Sequence, residues 1–155
     1  MTISFILPGA PRTKKNSAIL VRGRSSAILV RGRSGGKGRP LLLPSAAYSR
    51  WAKEAKRSLP DIRQQYRDLL PISTPCSIKA LLYRDADRGD AAGYYQALGD
   101  FLQDGGVLEN DRLIEDWDGS RLLVDRKQPR IEVAIFIWGT FGVVPSAAGR
   151  TSHAE

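Results

Sequence analysis

The pattern that most constrains the fold is an alternation of residue types late in the chain. Branched aliphatic residues stand at every second position, in the order Ile131, Glu132, Val133, Ala134, Ile135, Phe136 and Ile137. A period of two is typical of a strand that buries one face. We therefore predict a strand over residues 130–138 and, with it, a sheet to which other apolar segments contribute.

Other segments carry strand and helix patterns. Residues 3–7, 76–83 and 113–124 are predicted strands, and residues 127–129 are predicted to form the turn before the last strand. Ser45 is predicted to cap a helix. Its apolar residues recur at spacings of three and four, namely Tyr48, Trp51, Ala52, Ala55 and Leu59. Pro60 is expected to break or kink this helix before a second helical stretch over residues 61–70.

A further helix is predicted over residues 90–103, with Gly105 and Gly106 at its end. Its inner side is assigned to Tyr94 or Tyr95 and to Leu98, Phe101 and Leu102. This order of elements predicts an α+β domain, a small mixed β-sheet with two main helices. Residues 1–138 are assigned to one domain, and residues 139–155 to a flexible C-terminal tail.

Cysteine and histidine are nearly missing from the 155-residue chain, which contains one of each. A single cysteine, Cys76, excludes an internal disulfide and a cysteine-based zinc site. Its neighbours Pro75 and Ile78 favour a buried thiol. His153 lies in the tail, so catalytic triads that use histidine as the base are disfavoured. Acid–base or metal chemistry would have to come from Asp, Glu, Lys or Tyr.

The hydropathy pattern favours a soluble protein. No apolar run approaches the roughly 18 residues that a membrane-spanning helix needs. The first seven residues lack the positively charged start of a signal peptide and are better explained as a strand. We therefore expect a cytoplasmic protein with no membrane partner.

Positive charge is concentrated in the first part of the chain. Residues 1–67 contain 15 Lys and Arg and two acids, a net charge of +13. Residues 68–155 contain nine Lys and Arg and 14 acids, a net charge of −5. A basic segment, residues 12–39, has no acid and nine cations: Arg12, Lys14, Lys15, Arg22, Arg24, Arg31, Arg33, Lys37 and Arg39. Because phosphates are the natural counterpart of such a segment, we predict that these residues and Lys53 bind DNA. The alternative is a solvated, flexible loop without a partner.

The basic segment contains a tandem duplication. Residues 17–25 read Ser-Ala-Ile-Leu-Val-Arg-Gly-Arg-Ser, and residues 26–34 repeat all nine. The two copies could pair as a hairpin, since Ala-Ile-Leu-Val-Arg favours a strand and Gly-Arg-Ser a turn. Alternatively, one copy is an insertion that loops out at the surface, where added length costs little. We favour the insertion and treat residues 17–34 as a duplicated basic loop.

Carboxylates cluster around the helix predicted over residues 90–103. Asp85, Asp87 and Asp90 precede or open it, and Asp111, Asp116 and Asp118 follow it. Oxygen ligands of this kind suit Mg²⁺, which could activate water near a phosphodiester. The alternative is that these acids cap the helix and offset the basic half of the chain. Composition alone leaves both interpretations open.

Residues 88–102 and 106–114 resemble the RusA family of small, phage-associated Holliday junction resolvases. They read Arg-Gly-Asp-Ala-Ala-Gly-Tyr-Tyr-Gln-Ala-Leu-Gly-Asp-Phe-Leu and Gly-Val-Leu-Glu-Asn-Asp-Arg-Leu-Ile. The family pattern is approximately R-x-D-x-D-N-x-x-K-x-x-x-D-x-L, followed by G-x-[LI]-x-D-D-x-x-[LIV]. Residues 7–11 with residues 14–16 are similar to the family's proline turn and basic loop, and residues 45–56 to its first helix. The resemblance covers residues 3–137 apart from the duplicated loop.

This resemblance implies a homodimeric endodeoxyribonuclease that depends on Mg²⁺, or on Mn²⁺ in its place, and acts on branched DNA. Asp90 and Asp111 match family carboxylates, and the resemblance makes them metal ligands and catalytic residues. Three polar family positions are replaced, by Ala92 for the second carboxylate, Gly93 for an asparagine and Gln96 for a lysine. Asp87 is the obvious substitute ligand and Asp85 the second.

Three hypotheses follow. The first is a RusA-like homodimer that binds branched or duplex DNA with its nuclease activity weakened or lost. The second is an active junction endonuclease with a rearranged site formed by Asp87, Asp90 and Asp111. The third is a non-catalytic basic DNA-binding or assembly protein of phage origin, in which the acidic patch is purely structural.

Overall fold

A computed structural model describes residues 1–14, 19–21 and 41–138. In these ranges the chain forms seven strands and three helices: β1 Thr2–Pro8, β2 Ile19–Val21, β3 Leu41–Leu43, α1 Ala46–Ala55, α2 Leu59–Gln65, β4 Cys76–Arg84, α3 Ala91–Asp104, β5 Ile114–Asp116, β6 Arg121–Val124 and β7 Arg130–Ile137. Short 3₁₀ turns at Lys56–Ser58 and Asp111–Leu113 precede α2 and β5. The predicted α+β class is confirmed.

Five of the strands form one mixed sheet. β7 lies between β1 and β4 and pairs antiparallel with both, with Ile135 opposite Ile3 on one side and Ile78 on the other. β5 and β6 pair parallel with successive parts of the other edge of β4. The predicted alternation in β7 is confirmed, because Ile131, Val133 and Ile135 are buried.

The helices cover one face of this sheet. Tyr48, Trp51, Ala52 and Ala55 of α1, followed by Leu59, are buried in a single core together with the inward residues of β1, β4 and β7. The rings of Trp51 and Phe101 lie 5.1 Å apart, so α1 and α3 contact each other as well as the sheet. The opposite sheet face carries exposed apolar side chains, with Ile6 55% and Phe136 42% exposed.

The ends of the helices follow from local chemistry. The hydroxyl of Ser45 accepts a hydrogen bond from the backbone N–H of Tyr48 at 3.0 Å, which confirms the predicted cap. Pro60 lies in the first turn of α2, where its missing N–H costs nothing. The second helical stretch begins at Leu59 and ends at Gln65. The predicted bounds, residues 61–70, were therefore too late at both ends.

The predicted strand over residues 113–124 was wrong, because two short strands and a turn replace it. The carboxylate of Asp116 accepts hydrogen bonds from the hydroxyl of Ser77 and, at 3.0 Å, from the backbone N–H of Asp118. Gly119 follows with a φ of +72°, a conformation that glycine adopts without strain. This turn separates β5 from β6.

The first copy of the duplicated sequence contributes β2, which pairs antiparallel with β3 in a separate two-stranded sheet. The second copy, residues 26–34, and the predicted tail, residues 139–155, lie outside the described residues. The proposed pairing of the two copies therefore stays a hypothesis. Among the described helices, none is both long and apolar enough to cross a membrane.

Candidate functional site

The loop before α3 is held by a buried arginine. Arg84 is only 5% exposed, and its guanidinium donates to the carbonyl of Arg88 at 2.9 Å and to the carboxylate of Asp87 at 3.0 Å. The hydroxyl of Tyr94 also donates to the carbonyl of Arg88, at 3.0 Å. Asp87 thus pairs with the last residue of β4, while 87% of its side chain is exposed.

A second ion pair joins this loop to the segment after β1. Arg12 donates two hydrogen bonds to the two carboxylate oxygens of Asp85, at 2.8 and 2.7 Å. These bonds hold the pKa of Asp85 below its usual value of 3.8. Bidentate pairs of this type fix geometry as well as charge. No short-range pattern indicates this pair, because its members are 73 residues apart.

Lys14, in the same segment as Arg12, pairs with a carboxylate of α3. Its ammonium lies 2.7 Å from the carboxylate of Asp100 and 5.3 Å from the centre of the Tyr48 ring. Arg12 and Lys14, two of the predicted DNA ligands, are therefore already paired with carboxylates of the chain. The other seven cations of the basic segment, from Lys15 to Arg39, lie outside the described residues.

A cavity of about 370 Å³ opens on a different side of α3. The helix contributes Ala92, Tyr95, Gln96 and Gly99, and the segment after it contributes Asp111, Ile114 and Trp117. The rings of Tyr95 and Trp117 stack with their centres 4.9 Å apart and their planes 8° from parallel. Sequence reasoning missed both aromatic residues as site residues.

Two short structural features fix Asp111 at this cavity. Its backbone N–H donates to the side-chain oxygen of Gln103 at 2.9 Å. The side chain of Asn110 accepts from the N–H of Arg112, also at 2.9 Å, and so starts the 3₁₀ turn. Of the side chains that line the cavity, Asp111 is the only carboxylate.

Asp90 does not line the cavity that contains Asp111. Asp90 takes the N-cap position, but its side chain makes no capping hydrogen bond. A Cβ atom at Gly93 would lie 2.6 Å from the carboxylate of Asp90, so that carboxylate lies over the first turn of α3 beside Gly93. Gly93 is about 100° around the helix from Ala92, which faces the cavity.

The spacing of the carboxylates can be compared with the predicted magnesium site of Asp87, Asp90 and Asp111. Within residues 1–14, 19–21 and 41–138, no group of three or more His, Cys, Asp or Glu side chains is close enough together to hold a metal ion. Asp87, Asp90 and Asp111 do not form such a group. The cavity contributes one carboxylate, Asp111, beside Ala92, Gln96 and aromatic rings, whereas Mg²⁺ in proteins is usually held by one or two carboxylates together with waters and substrate phosphates.

A second groove, of about 430 Å³, lies along α1. Lys14, Lys53 and Lys56 line it, with Asp104 of α3 on the far side. Lys53 and Arg50 of α1 are exposed, and so are Lys56 and Arg57 of the 3₁₀ turn that follows it. The predicted DNA ligand Lys53 therefore lies on a basic surface.

Comparisons with known proteins do not identify this chain. Neither the scan against protein-family models nor the search of curated proteins found a match.

Proposed function

We propose that the chain is a RusA-like, homodimeric protein that binds branched or duplex DNA, with its nuclease activity weakened or lost. One observation carries this proposal. The positions that the RusA pattern assigns to the second carboxylate, the lysine and the later carboxylate are occupied by Ala92, Gln96 and Asp111, and all three line the same cavity. Three motif positions that converge on one cavity are expected of an active site whose polar residues have been replaced.

The replacements are the reason for proposing that cleavage is weakened or lost. Ala92 supplies no ligand oxygen, and Gln96 supplies no positive charge that could stabilise a developing oxyanion. Asp90, which the resemblance also makes a ligand, is not among the residues that line this cavity. We therefore derive no metal-dependent step from the residues present.

DNA binding rests on the basic surface of α1. Lys53 and Lys56 border an open groove, and neither belongs to an ion pair in the described part of the chain. Such cations contact phosphates and position DNA without reading its sequence. The sheet face that the helices leave uncovered carries the exposed side chains of Ile6 and Phe136. In a homodimer, this apolar surface could be buried between the two copies.

The ion pairs of the acidic cluster favour a second candidate function. Asp85, Asp87 and Asp100 are each paired with an Arg or Lys of the chain. A basic DNA-binding or assembly protein, in which the acidic patch only holds loops in place, is consistent with this pairing.

Restoring the replaced positions separates these functions. Cleavage of a synthetic four-way junction would be measured in Mg²⁺ and in Mn²⁺ for the natural chain and for Ala92→Asp with Gln96→Lys. Ala46→Asp with Gln64→Lys makes the same changes at exposed positions on α1 and α2 and is the control. We expect cleavage only in the restored variant, and its loss when Asp111→Asn is added.

Each other outcome points to a different hypothesis. Efficient cutting by the natural chain, abolished by Asp87→Asn, would support the rearranged site instead. A restored variant that binds junctions but does not cut would favour the assembly protein. A restored variant that neither binds nor cuts would contradict the RusA-like proposal itself.

Binding is tested by its dependence on salt. Each Lys–phosphate contact contributes about 0.9 to the slope of log affinity against log salt. Lys53→Ala and Lys56→Ala should each lower the slope by about that amount, whereas Lys127→Ala, in the turn before β7, should not. Sedimentation velocity of the full chain tests the homodimer.

A further inference from the structure

The cavity beside α3 has the composition of a nucleobase site, and its motif positions retain one carboxylate. Its volume of about 370 Å³ falls in the range of roughly 300–1,000 Å³ that is usual for small-ligand pockets. Its lining combines the stacked rings of Tyr95 and Trp117 with two polar groups, the amide of Gln96 and the carboxylate of Asp111. Proteins that bind unstacked bases combine aromatic surfaces with hydrogen-bonding side chains in this way.

The backbone around the cavity brings these groups together. A Cβ atom placed on Gly99 would lie 3.7 Å from the Cβ atom of Asp111 and 4.0 Å from the indole of Trp117, so both residues border the same point on α3. Gln103 and Asn110 hold the turn that carries Asp111. The carboxylate and the aromatic edge are therefore presented from well-anchored segments, which lowers the entropy lost on binding.

The polar groups indicate which base would fit. A carboxylate only accepts hydrogen bonds, whereas an amide side chain both donates and accepts. Guanine offers two neighbouring donors, N1–H and the exocyclic amino group, next to the acceptor O6. Asp111 can take both donors while the amide of Gln96 donates to O6. Adenine and cytosine each offer the carboxylate only an amino group on this edge, and thymine offers only one N–H.

We propose that this cavity binds an unpaired guanine of DNA, stacked on an outer face of the Tyr95–Trp117 pair and held by Asp111 and Gln96. The inference rests on the proposed DNA-binding function and extends it. The basic surface of α1 would hold the phosphates of paired DNA, while the cavity would select a site where a base has left the helix. Branched and bulged DNA expose such bases, whereas regular duplex DNA does not.

The test compares a fully paired duplex with the same duplex carrying one extrahelical guanine or one extrahelical inosine. Inosine lacks the exocyclic amino group. For the natural chain we expect binding to the guanine bulge about tenfold tighter than to the paired duplex, from base–aromatic stacking. We expect the guanine bulge to bind about fivefold tighter than the inosine bulge, from the lost hydrogen bond to the carboxylate.

Two variants remove the hydrogen bond to the carboxylate and the stacking contact separately. Asp111→Asn should abolish the preference for guanine over inosine, and Asp68→Asn, an exposed acid in the loop after α2, is the matched control. Trp117→Ala should abolish the preference for the bulge over the duplex, whereas Trp117→Phe should retain part of it. Trp138→Ala is the matched control for loss of an exposed indole. Ratios between DNA forms are compared, because removal of an acid raises affinity for every DNA.

The outcomes distinguish this inference from the function on which it rests. Equal binding of paired, guanine-bulged and inosine-bulged DNA would overturn the base site and leave the DNA-binding function standing. An unchanged guanine preference in Asp111→Asn would also overturn it, even if Trp117→Ala failed to fold. No binding to any of the three DNAs would overturn both.

Discussion

The pair between Arg12 and Asp85 gives the most decisive test of how the basic segment is used. The two side chains are 22% and 30% exposed, and both guanidinium–carboxylate bonds are short. Exposed pairs contribute about 0.2–1 kcal/mol, and breaking a buried pair costs about 3–5 kcal/mol. We place Asp85→Ala between these limits, at about 2 kcal/mol. For a chain of this size the melting temperature should fall by about 5 °C.

A double-mutant cycle isolates the interaction. Arg12→Ala, Asp85→Ala and the double variant would be unfolded with urea, and we expect a coupling energy of about 1 kcal/mol at pH 7. Arg12 lowers the pKa of Asp85, so the pair stabilises the fold fully above the unfolded-state pKa. Its contribution is lost as the pH falls through the lower folded-state pKa. The coupling should therefore be the same at pH 7 and pH 5.5 and should shrink below about pH 4.

The same variants decide whether Arg12 also contacts DNA. Because its guanidinium is already occupied by Asp85, Arg12→Ala should leave the salt slope of DNA binding unchanged, in contrast to Lys53→Ala. A coupling energy near zero at pH 7, or one that grows on acidification, would refute the structural role. A salt slope reduced by Arg12→Ala as much as by Lys53→Ala would show that Arg12 binds phosphate.

Two further predictions concern the core. Ser45→Ala removes the only side-chain cap of α1 and should cost about 1 kcal/mol in urea unfolding; an unchanged unfolding midpoint would mean that the cap contributes nothing. Burial raises the pKa of the Cys76 thiol to about 11, so at pH 8 the native chain should react with a disulfide reagent at least about 100-fold more slowly than the chain in guanidinium. Equal rates would place the thiol at the surface.

The fold was largely predictable because its elements have local signatures. The alternation in β7, the three-and-four spacing in α1 and the Ser45 cap each involve residues a few positions apart, and all three are confirmed. The failures have local causes as well. The turn at Asp116 to Gly119 contains the local turn signal Asp118-Gly119, which the prediction of one long strand overlooked, and the hydrogen bond from Ser77 that supports it comes from a distant strand.

The candidate site was only partly predictable. Asp111, Ala92 and Gln96 were identified as positions of one motif, and the structure places them around one cavity. No local pattern could show that Asp90 is absent from the lining of this cavity. It also assigned Tyr94 or Tyr95 to the core without deciding between them; Tyr94 is buried, and Tyr95 stacks on Trp117 at the cavity.

By itself, the sequence determined the α+β class, the limits of most strands and helices, the opposed charges of the two parts of the chain and the exclusion of disulfide chemistry. These properties depend on composition and on spacings of two to four residues. Only the tertiary structure decided which carboxylates are engaged. Asp85 pairs with a residue 73 positions away, and Asp100 with Lys14 on a separate segment. Contacts between distant segments depend on how the helices lie on the sheet, which no short-range pattern specifies.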